Sequence, residues 1–361
     1  MDLIKKLSET RLPKPVSWVT AVVLSQPAAG KYGPGPVKEI CENVERTLAV
    51  FRKDAGPVEK KRLRRQMLYA RFAYLFSYQE FFLLHFLRLS DKGRRSFVGD
   101  IERGAVLFAA KDSESEEKIN DKAGAAETFG ALYARDTFLL EGKKDLSGFK
   151  AFLSAHPKCI VKPTLGQMGI GIRVINAGEP GFDPEGIIPE LLKEGSAIVE
   201  ELVIQCDEMA AFHPASVNTV RLATYCKGDS VTDLFSFFRM GTGGSVVDNA
   251  GSGGIFASVD VETGIVFTSG CTENGKRFLI HPDSGKQIIG FQIPRWNELL
   301  EVAHGAARKV SRQHYMGWDF ALTDDGWVMI EGNPCGQFVQ QICEQKGCRD
   351  RLREVFDGRV F

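Results

Sequence analysis

The stretch from Trp318 to Pro334, WDFALTDDGWVMIEGNP, constrains this chain more than any other. Two apolar-rich runs flank an Asp-Asp-Gly turn, the pattern of a β-hairpin. Its first strand carries Asp319, its second Glu331 and Asn333. Residues two apart on a strand share a face, so Glu331 and Asn333 point the same way. Register across the hairpin can set Asp319 beside them. Three oxygen-bearing side chains amid apolar neighbours cost free energy unless something neutralises them. A Mg²⁺ ion bridging to phosphates is the natural solution, since it takes few protein carboxylates and completes its shell with substrate oxygens. A coincidental acidic patch is the plainer alternative.

Upstream lies a second constellation, Ile160 to Ile172, IVKPTLGQMGIGI. A strand delivers Lys162, a Gly-rich turn follows, and a second strand leaves. Glycines let backbone N–H groups approach a phosphate closely, and Lys162 supplies a cation. No GK[ST] opens a helix here, so this is not a Walker A loop. Taken alone it reads equally as a hairpin with a flexible tip. A third stretch, Val199 to Glu208, ends a β-rich run in Glu200 and Glu201, with Glu208 seven residues beyond. Carboxylates accept hydrogen bonds from an amino group or ribose hydroxyls. Alone, this is an acidic strand end. The fourth places Arg221 and Arg239 on successive predicted strands, ahead of the glycine-dense stretch 241–254. Two guanidiniums in β-rich sequence need anionic partners.

The texture changes along the chain. Residues 1 to 112 read as mainly helical, with Val37–Phe51 at helical spacing and Arg52–Arg65 as a solvated basic face. Tyr69–Leu89 reads as one long aromatic helix, buried between lobes or at a homodimer contact. Lys111–Lys122 reads as an acidic boundary or exposed turn. Beyond it, short β-rich runs alternate with helices such as 184–194 and 294–314, which suggests an α+β body with antiparallel sheets. The expected division is 1–112, 113–205 and 206–361.

Composition excludes several classes. Hydrophobic residues make up 43% and charged residues 25%, which rules out whole-chain disorder. Lys+Arg and Asp+Glu are both 46, so no net positive charge suggests a nucleic-acid partner. The eight Cys form no CxxC pair and the six His no HExxH, which argues for reduced thiols, a cytoplasmic setting and no zinc site. The most apolar stretch, Tyr69–Leu89, is broken by Arg71, Glu80 and Arg88, whereas a membrane span needs about 20 apolar residues with few or no charges. The short run Val16–Leu24 follows Asp2 and Glu9 and lacks a cleavage pattern, so no signal peptide is expected.

Together these motifs resemble the ATP-grasp superfamily. Lys162-Pro163 with Gly166, Gly169 and Gly171 is similar to the KPxxGxxGxGV pattern of the ribosomal-protein-S6-modification ligases. Arg221, Arg239 and Asn249 with Gly253-Gly254 resemble the arginine pair and N…GG loop of that branch and of bacterial glutathione synthetase. Asp319, Glu331 and Asn333 resemble the D…ExN magnesium signature, and Asp121-Lys122 the "DK" that precedes it in the fold. Asn218-Thr219-Val220-Arg221, Asp248-Asn249 and Gly332-Asn333-Pro334 point more narrowly to the sugar-transfer-associated group. The likeness covers roughly residues 115 to 345.

The resemblance implies an α+β ATP-grasp fold, two α+β subdomains clasping ATP between antiparallel sheets. It implies ATP and Mg²⁺ as cofactors, with Mn²⁺ as a substitute. Lys122 and Lys162 would contact the phosphates, and Gly166, Gln167, Met168, Gly169 and Gly171 would fold over them. Glu201 and the Val203 backbone would hold adenine and Glu208 the ribose, with Glu200 also in the nucleotide site. Asn218, Asn249, Gly253 and Gly254 would meet substrate. Asp319, Glu331 and Asn333 would bind the metal, and Arg221 and Arg239 the γ-phosphate or an acyl phosphate. The expected activity is carboxylate–amine ligation through an acyl phosphate, on small-molecule carboxylate and amine partners. A small-molecule or sugar kinase on the same fold is the first rival, and a non-catalytic ATP-binding scaffold the second. A third is a lipid-surface binder using Arg52–Arg65 and Tyr69–Leu89. Asn333-Pro334-Cys335-Gly336 departs from the Asn-x-Pro-Gly of relatives, and the helical N-terminal region departs from their usual Rossmann-type lobe.

Overall fold

The computed structural model describes residues 10–165, 170–244, 253–336 and 338–356. The expected sites Gly166, Gln167, Met168, Gly169 and Asn249 lie outside the described residues. The chain divides into two compact units, residues 110–336, and residues 1–109 together with 337–361.

The unit 110–336 is built on two antiparallel sheets. In the first, β1 (Thr137–Leu140), β2 (Lys158–Pro163), β3 (Arg173–Asn176) and β4 (Ala197–Glu201) run in the order β1-β4-β2-β3. The expected hairpin around the glycine-rich turn is real, with Val161 opposite Arg173. The helices Leu146–Ala155 and Pro184–Leu191 cover one face of this sheet, burying Phe149, Leu153 and Ile188 against Cys159, Val161, Ala197 and Val199. Strand alternation turns Lys162 and Glu200 to the other face.

The second sheet adds β5 (Thr219–Lys227), β6 (Ser230–Met240), β7 (Ile255–Val259), β8 (Gly270–Cys271), β9 (Arg277–Phe278), β10 (Tyr315–Leu322) and β11 (Trp327–Asn333). Their order is β11-β10-β5-β6-β7-β8-β9. Val220, Leu222, Phe238, Trp318, Phe320 and Met329 point into a core shared with the helix Trp296–Lys309, which contributes Leu299, Ala303 and Ala306. Their neighbours along the same strands therefore line the opposite face. The division expected at 205/206 falls in the connection between the two sheets.

The unit of residues 10–109 and 338–356 is helical. Its longer helices are Lys14–Leu24, Gly35–Phe51, Pro57–Tyr74 and Asp100–Ala109. Leu48, Met67, Phe72, Phe76, Phe81 and Phe86 form its core. The C-terminal segment belongs to this unit. Arg349 there is buried, donating to Phe97 O at 2.8 Å and to Glu102 Oε1 at 2.6 Å.

Two expectations for local structure are corrected. Tyr69–Leu89 is not one helix. The helix from Pro57 ends at Tyr74, and Leu75 takes a left-handed φ of 61°. A new start follows, in which Ser77 Oγ accepts from Glu80 N and Glu80 Oε2 accepts from Ser77 N, at 3.3 and 2.7 Å. Lys111–Lys122 is not a bare turn either. Asp112 caps a helix over Ser113–Asn120, accepting from Ser115 N at 3.1 Å. No described helix is long and apolar enough to cross a membrane.

Candidate active site

The face of the second sheet away from its helix carries the acids and arginines singled out in the sequence. Asp319 stands opposite Arg221 on one side of β10 and opposite Glu331 on the other. A bulge after Asp319 skips Ile330, so that Phe320 faces Met329 in the core while Asp319 still faces Glu331. Gly317 lies opposite Asn333, which keeps Asn333 on the same face. Arg239 emerges near the end of β6, opposite Thr219.

Asp319 is buried and held by both arginines. Its Oδ1 accepts from Arg221 Nε at 2.5 Å, and its Oδ2 accepts from Arg221 Nη2 and, at 2.6 Å, from Arg239 Nη1. Burial would push its carboxyl up. The two guanidiniums outweigh that and hold it below the ordinary carboxylate range. Glu331 goes the other way: desolvation and then the charge on Asp319 raise it. Arg221 Nη2 reaches Glu331 Oε1 only at 3.6 Å. Asn333 Oδ1 accepts from Cys335 N at 3.0 Å, across the Pro334 turn. Two carboxylates and a carboxamide oxygen on one face, one carboxyl disfavoured as an anion, form a donor set suited to a hard divalent cation.

The second cluster belongs to the first sheet. Lys162 Nζ donates to Glu200 Oε2 at 2.8 Å, and Arg135 Nε donates to the same oxygen at 2.8 Å. Burial would raise Glu200, but Lys162 and Arg135 lower it overall. Lys122 opens the helix Lys122–Phe129, and its N–H donates to Thr164 O at 3.0 Å. Burial lowers the Lys122 ammonium, Glu331 and Glu200 oppose that shift, and Lys162 adds to it. Lys122 thus senses the charges of both sheets.

Arg135 was missed by the sequence reading. It bonds Glu200, Tyr133 O at 3.1 Å and Met329 O at 2.5 Å, joining the first sheet to β11. Its partner Glu200 is 65 positions away and no local motif marks it. Gly171 has φ +77°, and a Cβ there would sit 2.7 Å from Pro163 Cγ, so this end of the turn requires glycine.

Other expected residues are placed differently. Glu200 Oε2 is shared by Lys162 and Arg135. Glu201 belongs to the opposite face of the sheet. Its Oε2 accepts from Asp136 N at 3.2 Å, and its Oε1 lies 3.9 Å from His156 Nδ1. Val203 is half-buried beyond β4, and Glu208 is exposed on the short helix Asp207–Ala210. Asn218 is wholly buried, and its amide is spent within the protein. Its Nδ2 reaches Met209 O and His213 O, both at 2.9 Å, and its Oδ1 accepts from Gly241 N at 3.1 Å. It braces the chain between Met209 and Gly241. Gly253, with φ +92°, and buried Gly254 lead into β7.

With this geometry in view, residues 125–357 match the model of the sugar-transfer-associated ATP-grasp family. The chain belongs to that family. The ATP-grasp expectation for the fold holds, and the helical N-terminal region accompanies it. Among proteins of curated function, none matches.

Similar solved structures include the ATP-grasp ligase PsnB complexed with minimal precursor (14% identity, TM-score 0.40, 68% of this chain, 62% of that one). D-alanyl-alanine synthetase A from Vibrio cholerae is 11% identical (TM-score 0.42, 68% and 66%). VanG D-Ala:D-Ser ligase from Enterococcus faecalis is 13% identical (TM-score 0.43, 68% and 64%). The match spans less than two thirds of the PsnB chain. Likeness this distant carries nothing about substrate, and the assignment to the ATP-grasp family rests on the family match.

Proposed function

We propose that the protein is an ATP-dependent ligase that joins a small-molecule carboxylate to an amine through an acyl phosphate. One observation supports this above the rest: Asp319, Glu331 and Asn333 share a sheet face with Arg221 and Arg239, while Lys122 feels charges from that face and from the Lys162–Glu200 pair. Such a setting neutralises a transferring phosphoryl group and needs no covalent nucleophile.

In this reading Lys122 and Lys162 bind phosphate oxygens, and the turn ending at Gly171 covers them. Asp319, Glu331 and Asn333 would hold Mg²⁺, which would supply charge neutralisation for the transferring phosphoryl group. Arg221 and Arg239 hold the oxygens of the γ-phosphoryl group as a substrate carboxylate oxygen attacks phosphorus and ADP leaves. The amine nitrogen then attacks the acyl carbon, the C–O bond to phosphate breaks, and the amine proton passes to solvent. The main chain near Val203 would hold adenine, with Glu201 at the strand end before it. Glu208 remains the candidate for ribose. Manganese would serve in the magnesium site.

The test is calorimetry with Mg·ATP, followed by product analysis with candidate carboxylate and amine pairs. ADP and free phosphate appearing together with an amide support the ligase. A stable phosphorylated product without free phosphate assigns a kinase instead. Nucleotide uptake without turnover on any pair that binds assigns a scaffold.

A further inference from the structure

We propose that Asp136, His156 and Glu201 form a second cation site, suited to a first-row transition ion such as Zn²⁺, at the end of β4 and on the sheet face away from Lys162 and Glu200. The proposal stands independently of the nucleotide reading.

Three separate segments bring the ligands together. Asp136 ends the connection into β1, Glu201 closes β4, and His156 ends the helix Leu146–Ala155. Main-chain bonds fix the two acids side by side. Glu201 N donates to Asp136 O at 3.0 Å, and Asp136 N donates to Glu201 Oε2 at 3.2 Å. His156 N donates to Phe152 O at 2.8 Å, and its imidazole lies against the Phe152 ring with centroids 4.8 Å apart. The His156 side chain is 16% exposed, against 74% for Asp136 and 43% for Glu201, so the imidazole is the floor and the carboxylates are the rim.

The ring is what calls for a cation. Its Nε2 stands 2.8 Å from Asp136 Oδ2, and its Nδ1 stands 3.9 Å from Glu201 Oε1. Ionised carboxylates only accept hydrogen bonds, and a neutral imidazole carries a single N–H. One ring edge therefore turns a lone pair toward an anion, and the Glu201 side is too long for a hydrogen bond in any case. A metal ion resolves both. One ligand atom from each of the three residues lies within 4.8 Å of the other two, so small rotations of the exposed carboxylates close the set. Three protein ligands with water completing the shell is the pattern of an open zinc site. Imidazole also favours zinc, copper or nickel over magnesium, which separates this set from the all-oxygen face at Asp319. Asp136 stands 20 positions from His156 and 65 from Glu201, so no short spacing in the sequence marks the site.

The test is titration of the full chain with Co²⁺ and with Zn²⁺, keeping Mg²⁺ in excess to hold the Asp319 face. Co²⁺ reports through its visible d–d band, and Zn²⁺ through calorimetry and a rise in melting temperature. The wild type should take up one ion. H156A should abolish the band and the melting response, and D136N and E201Q should each weaken uptake by about tenfold or more. C335S should bind as the wild type does, which separates this site from the exposed thiol. No uptake by the wild type, loss of uptake in C335S, or uptake that survives H156A and is therefore adventitious would overturn the proposal. Should H156A not fold, D136N and E201Q decide, and wild-type affinity in both overturns it.

Discussion

Glu331 lies directly across the β10–β11 ladder from Asp319, and the two carboxyls are pushed in opposite directions. Asp319 is kept ionised by Arg221 and Arg239, while Glu331 resists ionisation beside it. A cation on this face would relieve Glu331 most.

Glu331 should therefore link cation binding to pH. Its folded value is raised, so the stability it gives is full below the unfolded value of about 4.5 and is lost as pH rises through the folded one. Without metal, Glu331→Gln should melt higher than the wild type at neutral pH. Added Mg²⁺ should raise the wild-type melting temperature and leave the variant unmoved. Equal Mg²⁺ responses would remove Glu331 from the cation site.

Asp319→Ala removes the carboxylate to which Arg221 and Arg239 both donate. The expected loss is about 3–5 kcal/mol, read from denaturant unfolding. Asp319→Asn keeps the shape and should lose less stability, yet Mg·ATP turnover should still disappear. Turnover close to wild type in Asp319→Asn would refute the phosphoryl-site assignment.

Glu200 gives a second double test. Glu200→Ala should also destabilise by about 3–5 kcal/mol, because Lys162 and Arg135 are both buried against it. Lys162→Ala should weaken ATP binding by tenfold or more, the order of one charge-assisted phosphate contact. Glu200 then keeps only Arg135, so calorimetry and unfolding on this variant separate a binding role from a structural one.

Gly171→Ala forces a side chain into the left-handed region, at a cost of about 1–2 kcal/mol, and into contact with Pro163. Unfolding and ATP affinity should both worsen. A neutral result would show that the turn relaxes freely.

Glu80 predicts a pH effect in the helical unit. Burial raises its carboxyl to about 7, although it accepts from Ser77 N and Asp100 N. Its contribution is full below about 4.5 and fades as pH climbs through about 7. Glu80→Gln should flatten the stability profile across that window. A profile that keeps its slope would rule the group out.

The hairpins at β2–β3 and β10–β11 were legible in the sequence because both signals are local. Alternation set Glu331 and Asn333 on one face, and turn residues set the reversals. Facing was harder. Glu200 and Glu201 are neighbours in sequence, yet alternation sends one to the cations and the other to His156. A motif match treats them as one acidic pair. The internal partners of Asn218 were not legible either, since its amide holds Gly241 and the chain around His213. The break after Tyr74 left no trace because Leu75, a poor left-handed residue, sits where glycine would have signalled the end.

Arg135 has a mechanical consequence. It grasps Glu200 with one edge of its guanidinium and the carbonyl of Met329 with another, two residues from Glu331. A single side chain therefore fastens the end of β4 to the main chain of β11, so Glu200 and Met329 cannot shift apart without undoing the same guanidinium.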